Sequence, residues 1–149
     1  MGRYINLDSA GKNRTKLVRL VSDALKELMR QSQIDGMTRD LVAFMSMALL
    51  EITKTIDPTV EPWEKRGYWV KADRFRREWS WAEKLGDKLY SALSAEDWHE
   101  IAQITAQLAE KLSQEKVPAR HRLGAPWTGA WEKFQLLVDI DKNVRPEES

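Results

Sequence analysis

The chain has 149 residues, a formal net charge of +1, seven tryptophans, two histidines and no cysteine. That length suits one domain that buries about two thirds of its unfolded surface without a staple, and the missing thiol excludes disulfides, thiolate nucleophiles and cysteine metal sites and favours a reducing compartment. No apolar signal core opens the chain, and its longest apolar stretch, Leu41 to Ile52, is too short for a bilayer, so a soluble cytoplasmic protein is expected.

Apolar residues recur at helical rather than alternating spacing, which predicts an all-α chain. The first helix is expected from about Asn13 to Ser32, on a stripe of Leu17, Val21, Ala24, Leu25, Leu28 and Met29. After Gly36, Thr38 is the expected N-cap, with Asp40 in the first turn. Leu41, Phe44, Met45, Ala48, Ile52 and Ile56 then form the stripe of a second helix. Val42, Met47, Leu49 and Leu50 leave it little polar face, so it is the expected buried centre.

The run from Asp57 to Pro62 reads as a break, with Pro62 in the first turn of a third helix. There Tyr68, Ala72, Phe75, Trp79, Ala82, Gly86, Leu89 and Leu93 follow spacings of four and three in alternation, a heptad seam. Ser94 to Asp97 looks like a capping-box variant, with Leu93 and Trp98 as its hydrophobic staple. A fourth helix follows on Trp98, Ile101, Thr105, Leu108 and Leu112. A loop with Pro118, Gly124 and Pro126 leads to a short fifth helix carrying Trp127, Trp131, Phe134 and Val138. The expected architecture is an antiparallel four-helix bundle core with a fifth, shorter C-terminal helix. Residues 1–142 form a single domain in this reading, residues 143–149 a disordered tail, and Trp79 and Trp98 are core residues because both lie in the seams.

Charge is segregated despite the near-neutral total. Residues 1–22 hold Arg3, Lys12, Arg14, Lys16 and Arg19 against Asp8, and residues 65–77 hold Lys65, Arg66, Lys71, Arg74, Arg76 and Arg77 against Asp73. Lys116, Arg120 and Arg122 make a third basic segment, while acid collects over residues 94–115 and in the tail. Such asymmetry bears on partners rather than on fold.

Catalytic motifs are lacking. Glu96 and His99 have the i, i+3 spacing of a di-iron ligand pair, but the only other histidine, His121, lies between two arginines, so no metal or cofactor is expected. Ala10 to Thr15 superficially resembles a phosphate loop, yet it lacks the first glycine and has Asn13 where a hydroxyl must meet magnesium. No serine sits in a nucleophile elbow.

The third predicted helix is different. With Phe75 set at the core and about 100° per residue, Arg66, Arg77, Lys84 and Lys88 fall opposite the seam, flanked by Trp81 and Val70, with Trp69 and Arg76 on the other shoulder. Tryptophan interleaved with arginine suits base stacking and phosphate contact, or an acidic protein surface. A solvated face with an Asp73–Arg77 pair explains the same pattern without a ligand. Arg120, Arg122 and Trp127 in the proline-bounded loop offer a second basic place. The expectation is a non-catalytic helical-bundle subunit that contacts RNA, DNA or a nucleoprotein assembly, since a net charge of +1 disfavours a free-standing high-affinity binder. The alternative is a protein adaptor or self-associating bundle whose Trp and Arg are interface anchors.

Overall fold

The computed structural model describes residues 7–115 and 124–144. Within them lie six helices and no strand: α1 (Leu7–Met29), α2 (Gly36–Thr53), α3 (Ile56–Lys65), α4 (Trp69–Ser94), α5 (Trp98–Ser113) and α6 (Ala130–Val144). Helix α1 packs on α2, α2 on α4, α4 on α5 and α5 back on α1, closing a four-helix ring. Directions alternate, because Arg14 near the start of α1 reaches Thr55 just past the end of α2, and Arg39 near the start of α2 pairs with Glu96 just past the end of α4. Helix α6 covers the remaining side of α2, and α3 bridges α1 and α4 at one end.

This is the expected all-α bundle, with α2 at its centre. Leu41, Val42, Ala43, Met45, Leu49 and Ile52 are fully buried, because helices cover α2 on three sides. Gly86 lets α4 approach α2 closely: a Cβ there would lie 3.1 Å from Leu49 Cβ.

Several boundaries differ from the sequence reading, each for a local reason. Helix α1 begins at Leu7 rather than near Asn13, since Ala10 is buried and extends the stripe toward Val18, Val21 and Leu25. It stops at Met29, which is exposed. The N-cap of α2 is Asp35 and not Thr38: the Asp35 carboxylate accepts from the Thr38 amide at 3.1 Å, while the Thr38 hydroxyl donates to the Gln33 carbonyl at 2.7 Å. That amide bond holds the Asp35 carboxyl below the usual carboxylate range.

The segment read as a break is the helix α3, and Ile56 opens it instead of closing α2. Pro58 lies in its first turn, where no amide is needed, and Ile56, Thr59 and Val60 share the buried face. Helix α4 accordingly starts at Trp69, seven residues later than Pro62. Its seam is buried at Ala72, Ala82, Gly86, Leu89 and Leu93, half-buried at Phe75 and Trp79, and exposed at Tyr68.

The capping box is not at Ser94, whose hydroxyl donates back to the Tyr90 carbonyl at 2.8 Å. Asp97 caps α5 by accepting from the Glu100 amide at 3.1 Å. On α5 Ile104 faces the core where Thr105 was expected, and Trp98 is half-buried against it. Trp127 precedes α6 rather than belonging to it, and α6 continues through residues 143 and 144, which were expected in the tail.

Candidate interaction surface

The α3–α4 corner is fixed by main-chain geometry. Gly67, at φ +83°, donates its amide to the Glu64 carbonyl at 3.0 Å, and the Tyr68 amide donates to the Trp63 carbonyl at 2.8 Å. This pair of bonds is a Schellman closure, for which glycine is favoured at the left-handed position. The turn projects three consecutive large side chains outward: Tyr68, Trp69 and Val70 are 53%, 64% and 70% exposed. Lys71 and Arg74 line the same patch, Lys65 and Arg66 precede it in the chain, and none of the four has an ion-pair partner among the described residues.

Behind the corner runs a column of rings. Lys71 Nζ sits 4.3 Å from the Trp63 ring centre, Trp63 meets Phe75 edge-on at 5.4 Å, and Phe75 lies 6.3 Å from Trp79. The Arg14 guanidinium, supplied by α1, rests 4.9 Å from Phe75 and 5.2 Å from Trp79. Folding thus brings Arg14 of the first basic segment against the rings beside the second. Arg76 is taken up structurally, since it bonds Asp57 and both oxygens of Glu64 and so ties α4 to α3; the Asp57 bond raises its pKa further above the ordinary value.

The sequence-predicted site residues are only partly brought together. Trp69 is at the corner, and Arg66 joins it there as the C-cap of α3 instead of lying on the face of α4. Arg77, Lys84 and Lys88 are exposed along α4; Arg77 pairs with Asp73 at 2.6 Å, and the two lysines have no ion-pair partner among the described residues.

Trp81 and Trp127 are not surface rings. They are 8% and 9% exposed, belong to the core cluster, and bury their indole Nε1 atoms without a hydrogen-bond partner. The reason is the width of the buried arc. Helix α4 packs on α2 and also on α5, so its buried residues, from Ala72 round to Trp81, cover about half its circumference. Trp127 lies edge-on to Phe44 at 6.4 Å, at the joint between α6 and α2. Arg120 and Arg122 lie outside the described residues.

Tyr68, Lys71, Arg74 and Arg14 were missed as site residues. By spacing Tyr68 belongs to the seam, and the basic count over residues 65–77 is the signal for the two cations. For Arg14 the signal is the basic count over residues 1–22, which makes the amino-terminal segment one of the expected contact surfaces.

Glu96 is committed to Arg39 at 3.1 Å, and His99 Nε2 meets the Gln103 side-chain nitrogen at 3.3 Å. No group of three or more His, Cys, Asp or Glu side chains among the described residues is placed to hold a metal. On α6 the outer face leaves Leu136, Leu137 and Ile140 exposed. It adjoins an open groove of about 760 Å³ lined by Ser94, Glu96, Trp131, Phe134 and Asp139, among others. No helix among the described residues is long and apolar enough to cross a membrane.

Fold and surface together define the class: an all-α four-helix bundle with two flanking helices and an aromatic, basic end. Comparison with protein-family models, with curated proteins and with solved structures returns no match.

Proposed function

We propose that this chain is a non-catalytic helical-bundle module that binds RNA or DNA, free or within a nucleoprotein, through its α3–α4 corner. One observation carries the reading. Tyr68 and Trp69 are presented on a fixed turn, in one surface patch with Lys71 and Arg74 and next in the chain to Lys65 and Arg66, and none of these cations has an ion-pair partner among the described residues. Exposed rings stack on bases of any sequence, and unpaired Lys and Arg release counterions on meeting phosphate. The buried Trp81 and Trp127 play no part in it.

The test is anisotropy with a labelled mixed-sequence single strand across a salt series. Wild-type affinity is expected to fall steeply with salt. Trp69→Ala should weaken binding by about 1 to 3 kcal/mol, and Arg66→Glu with Arg74→Glu should weaken it and flatten the salt slope. No salt-sensitive binding by the wild type at micromolar concentration overturns the reading for the isolated chain.

A second reading, a protein adaptor, is favoured by the exposed Leu136, Leu137 and Ile140 on α6. It expects Leu136→Ser with Ile140→Ser to abolish a protein complex or self-association while nucleic acid binding stays negligible.

A further inference from the structure

Arg14 projects from α1 into the angle between α3 and α4, half-buried. Its Nη1 donates to the Thr55 carbonyl at 3.4 Å and to the hydroxyl oxygens of Thr55 and Thr59 at 3.1 Å each. No carboxylate among the described residues pairs with it. Burial therefore pushes the guanidinium below its ordinary pKa with nothing opposing the shift. Removing a cation from water costs free energy that ring faces and hydroxyl lone pairs recover only in part. A methionine would fill the same slot without that cost.

Nor do the threonines require it. Thr55 Oγ1 already donates to the Ile52 carbonyl at 2.6 Å and Thr59 Oγ1 to the Thr55 carbonyl at 2.8 Å, so no hydroxyl proton is orphaned without Arg14.

The anchoring bonds use Nη1 alone. Nε and Nη2 carry the remaining N–H groups of the fork, and no acceptor among the described residues meets them. Neither atom is among the sealed, unpartnered polar atoms, so this free edge reaches the surface. Gly11, just under one turn earlier, leaves one side of Nη2 uncovered, since a Cβ there would be in van der Waals contact with it at 3.8 Å. No acid lies on α1 between Ser9 and Leu20. Asp57 and Glu64, the α3 acids that reach across to α4, are both paired with Arg76. Lys71 lies on Trp63, the next ring beyond Phe75, so a doubly charged tetrahedral anion suits the surroundings.

We propose that Arg14 is an oxyanion-recognition residue whose Nε–Nη2 edge takes a phosphate-class group, with Phe75 and Trp79 as its aromatic floor. A pre-aligned guanidinium fork matches such an anion through two parallel bonds, and the threonines supply the alignment. The proposal does not depend on the corner binding nucleic acid, because the anion can be a free phosphate or a phosphodiester.

Trp79 makes the site self-reporting. The full chain is titrated with inorganic phosphate, and separately with a single-stranded DNA oligonucleotide, at ionic strength held constant with chloride, while tryptophan emission is followed. A saturable change is expected in the wild type. Arg14→Met should melt within a few degrees of the wild type and weaken the response by about tenfold or more; Arg14→Lys, which keeps charge but loses the fork, should fall between. Dependence on Arg14 for phosphate alone assigns the site to a free phosphate ligand, and leaves the corner reading to fail by itself. Dependence for the oligonucleotide alone assigns the site to the phosphodiester backbone. No saturable change with either probe, or an unchanged response in Arg14→Met, overturns the proposal. So does an Arg14→Met protein that melts far below the wild type, since the guanidinium is then a structural group.

Discussion

Gly67 and Glu96 hold the same left-handed position in two Schellman turns, at φ +83° and +49°. The first turn carries the aromatic corner, and its backbone angle is one that side chains rarely adopt. Gly67→Ala is expected to cost about 1 kcal/mol in denaturant unfolding and to reduce oligonucleotide affinity as the corner shifts; unchanged stability would show that the turn relaxes freely. Glu96 carries comparable strain and gains a surface pair with Arg39, which is worth little when exposed.

Tyr90 offers a pH signature at the same scale. Burial first, and then its hydrogen bond to Asp141, push the phenol up to about 12. A folded-state value above the unfolded value of about 10 means that stability is fully present below pH 10 and is lost as pH rises toward 12. Tyr90→Phe should therefore show a shallower loss of stability than the wild type over that window. Parallel curves would place the phenol in an ordinary environment.

Among elements, α3 and α6 are the two whose placement required the fold. Ile56, Val60 and Trp63 have helical spacing, so α3 was legible in principle, but two prolines in its ten residues hid it. Pro58 is harmless in a first turn, whereas Pro62 lies inside the helix and is tolerated because both neighbouring helices hold α3 in place. Helix α6 takes its N-terminal cap from elsewhere in the chain: the half-buried Asp40 of α2 accepts from the Gly129 amide at 3.1 Å and the Trp131 amide at 2.9 Å. By sequence Asp40 is a first-turn acid serving its own helix. Asp40→Ala is expected to cost about 1 to 2 kcal/mol and to speed amide exchange in α6 before that in α2. Uniform exchange across both helices would show that α6 does not open separately.

At the scale of the whole molecule, the sequence by itself determined the helical class, the four-helix ring with a short C-terminal helix beside it, the central place of α2 and the segregation of charge. These follow from periodicity and composition, which each helix carries locally. The tertiary structure alone decided which rings stay outside. Periodicity marks the middle of a buried face, but its width depends on how many neighbours pack there, so Trp81 went inside with α5 as a second neighbour and Trp69, beyond the end of the packing, stayed out. It alone also set Arg14, 41 residues from Thr55 in the chain, against Phe75 and Trp79. A contact between helices distant in sequence leaves no local pattern, because it is produced by the order in which the helices close the ring.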